Sequence, residues 1–136
     1  MYSFRYQIRV RYAETDQMGY SYYGNYAKYY EIGRVETIRS LGFSYNDFET
    51  QMGIMLPVVN MEARYIVPAY YDELLTIETQ IKEMPSKMIT FHHFIYNEQD
   101  KLINKGIVKL FFVDMESGKR VSAPAILTNN LKQYFE

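Results

Sequence analysis

Apolar and polar positions alternate along the first twelve residues. Phe4, Tyr6, Ile8, Val10 and Tyr12 fall on one side of an extended chain, and Arg5, Gln7, Arg9 and Arg11 on the other. A period of two predicts a strand with one wet face. Residues 13–21 break the alternation with Asp16, Gly19 and Ser21 and read as a loop. From about Tyr22 to Ser40 the period lengthens. Tyr26, Tyr29, Tyr30, Gly33 and Thr37 recur at helical spacing with no proline, and Gly42 stands just past the predicted helix end. Four more alternating runs follow. The first is Val59 to Val67, closed by Pro68; the second is Leu75 to Lys82, closed by Pro85; the third is Lys87 to Tyr96; the fourth, after a turn at residues 97–100, is Lys101 to Met115. Residues 116–119 make a further turn, and Pro124 to Phe135 suits a short terminal helix with proline in its first turn.

The order is strand, one long helix, then a meander of antiparallel strands, which predicts an α+β fold. A helix over residues 24–40 is about 25 Å long, and five strands make a sheet about 19 Å across. One helix therefore crosses the sheet and covers one face. Gly33 in mid-helix costs roughly 1 kcal/mol against alanine, and a close approach of helix to sheet explains its presence. No repeat or linker interrupts the pattern, so residues 1–136 read as one domain.

Composition narrows the function classes. A domain of 136 residues buries roughly two thirds of its unfolded surface and needs no covalent staple. The absence of cysteine excludes disulfides, thiolate metal sites and cysteine nucleophiles, and allows a reducing compartment. The N-terminus lacks the apolar stretch of a signal peptide. No run approaches the roughly 20 apolar residues of a membrane span. Together these lead to the expectation of a cytoplasmic protein without membrane insertion. A net charge of −1 argues against nucleic acid as a partner. The outlier is tyrosine: there are 15, with no tryptophan. Tyrosine suits surfaces that are half buried and half wet.

Seven of the tyrosines lie between Tyr12 and Arg34, a stretch that also holds Glu14 and the pair Thr15-Asp16. By residue type alone Asp16 suits a cap or a turn. Glu14 reads as a solvated or salt-bridged surface residue, and Glu31 and Arg34 as a surface ion pair three apart on a helix. His92 and His93 are the only histidines. Neighbours on a strand point to opposite faces, so one should be packed and the other exposed. With no ligand spacing elsewhere, no metal is expected. The eight methionines read as core filler.

The run Ile8-Arg9-Val10-Arg11-Tyr12-Ala13-Glu14-Thr15-Asp16-Gln17-Met18-Gly19, with Tyr23-Gly24-Asn25-Tyr26 and Tyr29-Tyr30-Glu31-x-x-Arg34 after it, resembles the signature of the 4-hydroxybenzoyl-CoA thioesterase family. It is especially similar to the YbgC-like acyl-CoA thioesterases. Tyr65-Ile66-Val67-Pro68-Ala69-x-x-Asp72-Glu73-Leu74 is similar to the family's second strand and the following turn, and the resemblance extends to about Val121.

The resemblance implies a hotdog fold, a homodimer joined sheet edge to sheet edge and often paired again into a homotetramer, and active sites between protomers reached by the pantetheine arm of coenzyme A. It places the catalytic aspartate at Asp16 and the oxyanion-binding helix N-terminus at Tyr22, Tyr23 and Gly24. The tyrosines of 20–30, Tyr22 and Tyr26 among them, are expected to divide between packing the helix on the sheet and lining the acyl channel or the protomer interface. Glu31 falls where the family has an acidic residue near the acyl end. Arg64, Lys87 and the neighbouring Ser86 are candidates for coenzyme A phosphate contacts. Many YbgC-like members carry histidine where this chain has Tyr23, and a phenol of ordinary pKa near 10 is no base at neutral pH.

Thioester hydrolysis builds negative charge on the carbonyl oxygen, which helix N–H groups meet, while a carboxylate activates water or attacks the carbonyl itself. The expected activity is acyl-CoA thioester hydrolysis, with no metal or redox cofactor and with coenzyme A entering as part of the substrate. Hydrolysis of acyl groups on acyl carrier protein is the close alternative. A hotdog module that binds acyl-CoA without turnover is the alternative from another class. A hydratase fits less well, because no histidine lies in residues 1–50.

Overall fold

The computed structural model describes residues 1–135. The elements run β1 (Tyr2–Arg9), a 3-10 turn (Tyr12–Glu14), α1 (Asn25–Ser40), α2 (Tyr45–Gln51), β2 (Ile54–Met55), β3 (Val58–Tyr65), β4 (Leu74–Ile81), β5 (Met88–Tyr96), β6 (Leu102–Phe111), β7 (Val113–Asp114), α3 (Ala125–Leu131) and a closing 3-10 turn (Lys132–Tyr134). Five of the strands form one antiparallel sheet that curls around α1, in the α+β arrangement expected.

The inner face of the sheet is buried by strict alternation and is mostly apolar. Leu75, Ile77, Ile81, Ile89, Phe91 and Ile95 are fully buried together with Thr79 and His93, while the alternate residues of β4 and β5 stay half-exposed. Along α1, Tyr26, Tyr29, Tyr30, Gly33, Thr37 and Ile38 face inward. Two glycines set the helix-to-sheet distance. A Cβ on Gly33 would stand 2.6 Å from Thr79 Oγ1 and 2.9 Å from Ile77 Cγ2. A Cβ on Gly106 would run into the ring of Tyr30, which packs against that strand. The close approach inferred from Gly33 is thus a real contact. Gly42, at φ +102°, ends α1 in the left-handed region.

The sheet order is β1-β4-β5-β6-β3, not a simple meander. β3 leaves its sequence neighbour β4 and pairs with β6 at the far edge, with Ala63 opposite Gly106 and Tyr65 opposite Asn104. β1 takes the place beside β4, with Tyr6 opposite Ile77. β3, one edge of the sheet, is open along almost its whole length, while β1, the other edge, brings Tyr2, Phe4 and Ile8 to the core. The β3–β4 connection, residues 66–73, must therefore cross one end of the sheet, and the candidate site is built there.

Other boundaries differ from the sequence reading. β1 ends at Arg9, and Val10 leads into a 3-10 turn. The expected strand over 101–115 breaks at the buried Phe112, and its last residues pair with β2. The short helix α2 has no counterpart in the sequence reading. It starts at a capping box in which the Ser44 hydroxyl accepts the Asp47 N–H at 3.2 Å and the Asp47 carboxylate accepts the Ser44 N–H at 2.8 Å. Among the described residues no helix is long and apolar enough to cross a membrane.

Candidate active site

The Asp16 loop is a tight turn strapped to the 66–73 crossing. The Asp16 N–H donates to the Tyr20 carbonyl at 2.8 Å, and the Gly19 N–H donates to the Asp16 carbonyl at 3.0 Å. Gly19 makes this possible at φ +78°, where a side chain is disfavoured. The Ser21 N–H reaches across to the Ala69 carbonyl at 2.7 Å, and Tyr20 meets Tyr70 edge-on at 5.2 Å. The half-buried Asp16 carboxylate uses Oδ1 to accept the N–H groups of Met18, at 2.9 Å, and Tyr20, at 3.3 Å. Its Oδ2 has no partner among the described residues. The carboxylate is fixed in direction and keeps one oxygen free, which suits a base or a nucleophile.

Glu14 is not the surface residue expected. It is only 8% exposed. Oε1 accepts the Arg11 N–H at 2.9 Å and the Tyr29 hydroxyl at 3.0 Å, and Oε2 pairs with the Lys28 ammonium. Its carbonyl accepts the Tyr22 N–H at 2.7 Å and Nδ2 of Asn25 at 2.6 Å. Lys28 and Tyr29 stand on α1 and close over the carboxylate, so Glu14 ties the loop to the helix start. Burial pushes its carboxyl up. The Arg11 N–H, Lys28 and the Tyr29 hydroxyl outweigh that and leave it below its ordinary range.

At the start of α1 the three expected donors divide. The Tyr22 N–H is taken by Glu14. The N–H groups of Tyr23 and Gly24 have no acceptor among the described residues. The adjacent carbonyls are engaged: Tyr22 accepts from Asn25 at 2.9 Å and Tyr23 from Tyr26 at 3.3 Å. Asp16, Tyr20, Tyr23, Tyr26 and Tyr65 line one cavity of about 290 Å³, closed on another side by residues 66–68. The Tyr65 ring meets Tyr26 at 5.3 Å and Tyr23 at 6.5 Å, both edge-on. Tyr26 is buried, and its hydroxyl accepts the Ala69 N–H at 3.3 Å. Tyr23 and Tyr65 are exposed, so the cavity opens beside the sheet edge at β3.

The remaining candidates lie elsewhere in the protomer. Glu31 is exposed on the outside of α1. It does not pair with Arg34, which is 8% exposed, lies beside Tyr45 and His93, and leaves its Nε without a partner. The surface pair expected from their spacing is absent among the described residues, because Arg34 faces into the α1–α2 junction. His93 is fully buried. It is stacked on Tyr30 at 4.9 Å and bonded through Nδ1 to Thr79 Oγ1 at 2.9 Å. Burial first, then the Arg34 charge, pushes its pKa down to about 3, so the ring is neutral. Its neighbour His92 stands half-exposed on the outer face. Arg64 also stands on the outer face, opposite Lys105, with its back to the Asp16 cavity. Lys87 and Ser86 precede β5, whose Met88 pairs with Phe111 at the Val58 end of the sheet. At about 3.3 Å per residue, Val58 and Tyr65 are some 23 Å apart. Within one protomer, Arg64 and Lys87 do not meet Asp16. The residue that sequence reasoning missed is Tyr65, and the signal was its place at the head of the Tyr65–Leu74 motif.

A profile of the thioesterase-like superfamily matches residues 10–131. The chain belongs to this superfamily. Within it, the chain is 38% identical to YneP of Bacillus subtilis over 115 residues, which cover 85% of this chain and 83% of that one. It is 31% identical to the acyl-CoA thioester hydrolase YbgC of Escherichia coli O157:H7, over 96% of each chain. Its structure is similar to that of a DHNA-CoA thioesterase from Staphylococcus aureus, with a TM-score of 0.85 and 32% identity over 99% of this chain and 85% of that one. The sheet wrapped around α1 is the hotdog fold of these superfamily members.

Proposed function

We propose that this superfamily member is an acyl-CoA thioesterase, with Asp16 as its base or nucleophile and the N–H groups of Tyr23 and Gly24 as its oxyanion site. One observation carries the reading: Asp16, whose carboxylate keeps one oxygen free, and Tyr23, at a helix start with unpaired donors, line the same cavity. The acyl-CoA thioester hydrolase YbgC and the DHNA-CoA thioesterase to which the chain is similar support the same reading.

The thioester carbonyl oxygen lies toward the Tyr23 and Gly24 N–H groups, where the positive end of α1 meets the charge that develops on it. Oδ2 of Asp16 takes a proton from water while the water oxygen bonds to the carbonyl carbon, or bonds to that carbon itself to give an anhydride that water then opens. In either route the C–S bond breaks, the pair of electrons leaves with sulfur as coenzyme A thiolate, and the free acid departs. A thiolate is a good leaving group and needs no strong acid beside it. Tyr20, Tyr26 and Tyr65 wall the acyl group away from bulk water, and Tyr22 lies over Gly24, where a Cβ would stand 2.7 Å from its ring.

The site is completed by a second copy in this reading. Val58, Val59, Met61 and Tyr65 are 48%, 42%, 44% and 52% exposed on an unpaired edge strand, and such an edge needs cover. Antiparallel pairing of β3 across a two-fold axis near Met61 would lay Tyr65 against the Val58 end of the other copy. That brings the other copy's Lys87 toward the cavity, where it can meet coenzyme A phosphates. Glu31 would contact substrate only across such an interface. Among the described residues no lysine or arginine lines the cavity itself, so one protomer does not build the basic rim that an acidic carrier protein would need. The enzyme would act in the cytoplasm as a homodimer or homotetramer.

The test is thiol release from short, long and aromatic acyl-CoAs by the wild type and Asp16→Asn. Turnover by the wild type that the variant lacks supports the reading. Binding of acyl-CoA without turnover makes the chain a binding module instead.

A further inference from the structure

The outer face of the sheet carries a second cavity, of about 520 Å³, which the thioesterase reading does not use. It lies across β3, β6 and β5, with the sheet backbone between it and the tyrosine-walled cavity. Arg64, Lys82 and Lys105 line it with His92, above the half-buried Phe94, and Glu62 is its one carboxylate. Lys109 stands just beyond, against His92.

The arrangement is costly for the protein alone. Arg64 and Lys105 are directly opposed in the β3–β6 ladder, and like charges in that position repel. Among the described residues, none of the four cations has a carboxylate within salt-bridge distance. The groove and its margin gather Arg64, Lys82, Lys105 and Lys109 against Glu62 and Glu83, a local excess of two positive charges on a chain whose net charge is −1. A groove of this size falls within the range of small-ligand sites, about 300–1,000 Å³. It holds cations at three sides and an aromatic floor. The Lys82 ammonium lies 5.9 Å from the centre of the Phe94 ring, and the ring is only half-buried, so part of it stays open at the floor of the groove for a planar group.

We propose that this groove binds a diphosphate ester with a planar base, a nucleoside di- or triphosphate, at a site distinct from the one that cleaves thioesters. The opposed Arg64 and Lys105 bracket one phosphoryl group, Lys82 meets the other, and the base lies toward Phe94. The anion relieves the repulsion that the empty groove carries. A second copy packed face to face on this surface is disfavoured, since it would set the same cations against one another.

Isothermal titration of the full chain with ADP, with pyrophosphate, and with potassium chloride at matched ionic strength tests the proposal. Saturable binding of ADP and pyrophosphate, absent with chloride, is expected. Arg64→Gln and Lys105→Gln should each weaken it about tenfold. Both variants should melt no lower than the wild type without ligand, because each removes a repulsion. Lys82→Gln gives an independent variant on another strand. ADP binding no tighter than pyrophosphate removes the base from the proposal and leaves a phosphoryl site. Binding that follows ionic strength alone, or survives all three substitutions, overturns it. The last arm is kinetic: pyrophosphate should leave the KM for acyl-CoA unchanged. A competitive rise in KM would assign the groove to the substrate's own phosphates and end the claim of a second site. If no acyl-CoA is turned over, the titrations still decide the groove, and only the function proposed for the Asp16 cavity fails.

Discussion

Replacing Glu14 by glutamine tests whether a buried ion pair holds the reactive loop to the helix. The glutamine keeps the size of the side chain and keeps Oε1 as acceptor for the Arg11 N–H and the Tyr29 hydroxyl. It removes the charge that faces Lys28. The lysine side chain is 47% exposed and returns to water at little cost, while that of Glu14 is 9% exposed. The gross attraction of such a pair is about 4 kcal/mol at an effective dielectric near 20. Desolvation of the carboxylate takes back more than half of it, so the net loss should be about 1–2 kcal/mol. For a chain of this size that is a fall in Tm of about 4–8 °C.

The pH dependence gives a second readout. The folded carboxyl lies below its ordinary value of 4.5. Its contribution is therefore complete above pH 4.5 and is lost as pH falls through the folded value. Urea unfolding of the wild type and the variant should differ by the full amount at pH 7 and converge as the acid limb is approached. The kcat/KM of the variant should also fall, by about tenfold, since the Glu14–Lys28 pair holds the loop, and with it the carbonyl that positions Tyr22, against the helix start. Equal stability at pH 7, or a gap that stays constant on acidification, would refute the anchoring role.

Other outcomes follow from the same geometry. Gly33→Ala gains roughly 1 kcal/mol of helix propensity but forces a methyl against Thr79 and Ile77, so chemical denaturation should show a net loss of about 1–2 kcal/mol. His93 should stay neutral in the folded protein down to about pH 3. Because its pKa is depressed on folding, stability should decline as pH drops below about 6.5, by up to about 1.4 kcal/mol per pH unit. Its ring protons should show no titration by NMR between pH 5 and 8. Met61→Arg on the edge strand should give monomers by light scattering and lower thiol release at least about tenfold; a monomer with full activity would mean that one copy suffices.

Much of this architecture was legible because its signals are periodic. Strands at 75–81 and 88–96 show a clean period of two, and α1 shows its inward stripe of tyrosines together with a glycine whose absent side chain reports the helix-to-sheet contact. Strand order was not legible. β3 alternates like its neighbours, and only the exposure of its whole length reveals that it left β4 for the far edge of the sheet. The short α2 was hidden because a capping box ending in aspartate looks like a turn. At the site, the Asp16 turn and the unpaired start of α1 are local in sequence, and their motif could be read. The burial of Glu14 and Arg34 depends on which neighbours close over them. Spacing along a helix carries no such information, so both were read as surface charges. Tyr65 reaches the cavity only because the 66–73 crossing runs over the end of the sheet.

The most direct test of the account is the rate of thiol release by Asp16→Asn, compared with wild type on the best acyl-CoA of a panel. The asparagine keeps the shape of the side chain and can still accept the Met18 and Tyr20 N–H groups, so the fold and the cavity should persist. The account predicts a fall in kcat of at least about 100-fold with little change in KM. A variant that hydrolyses the same substrate as fast as the wild type would contradict it and remove Asp16 from the chemistry.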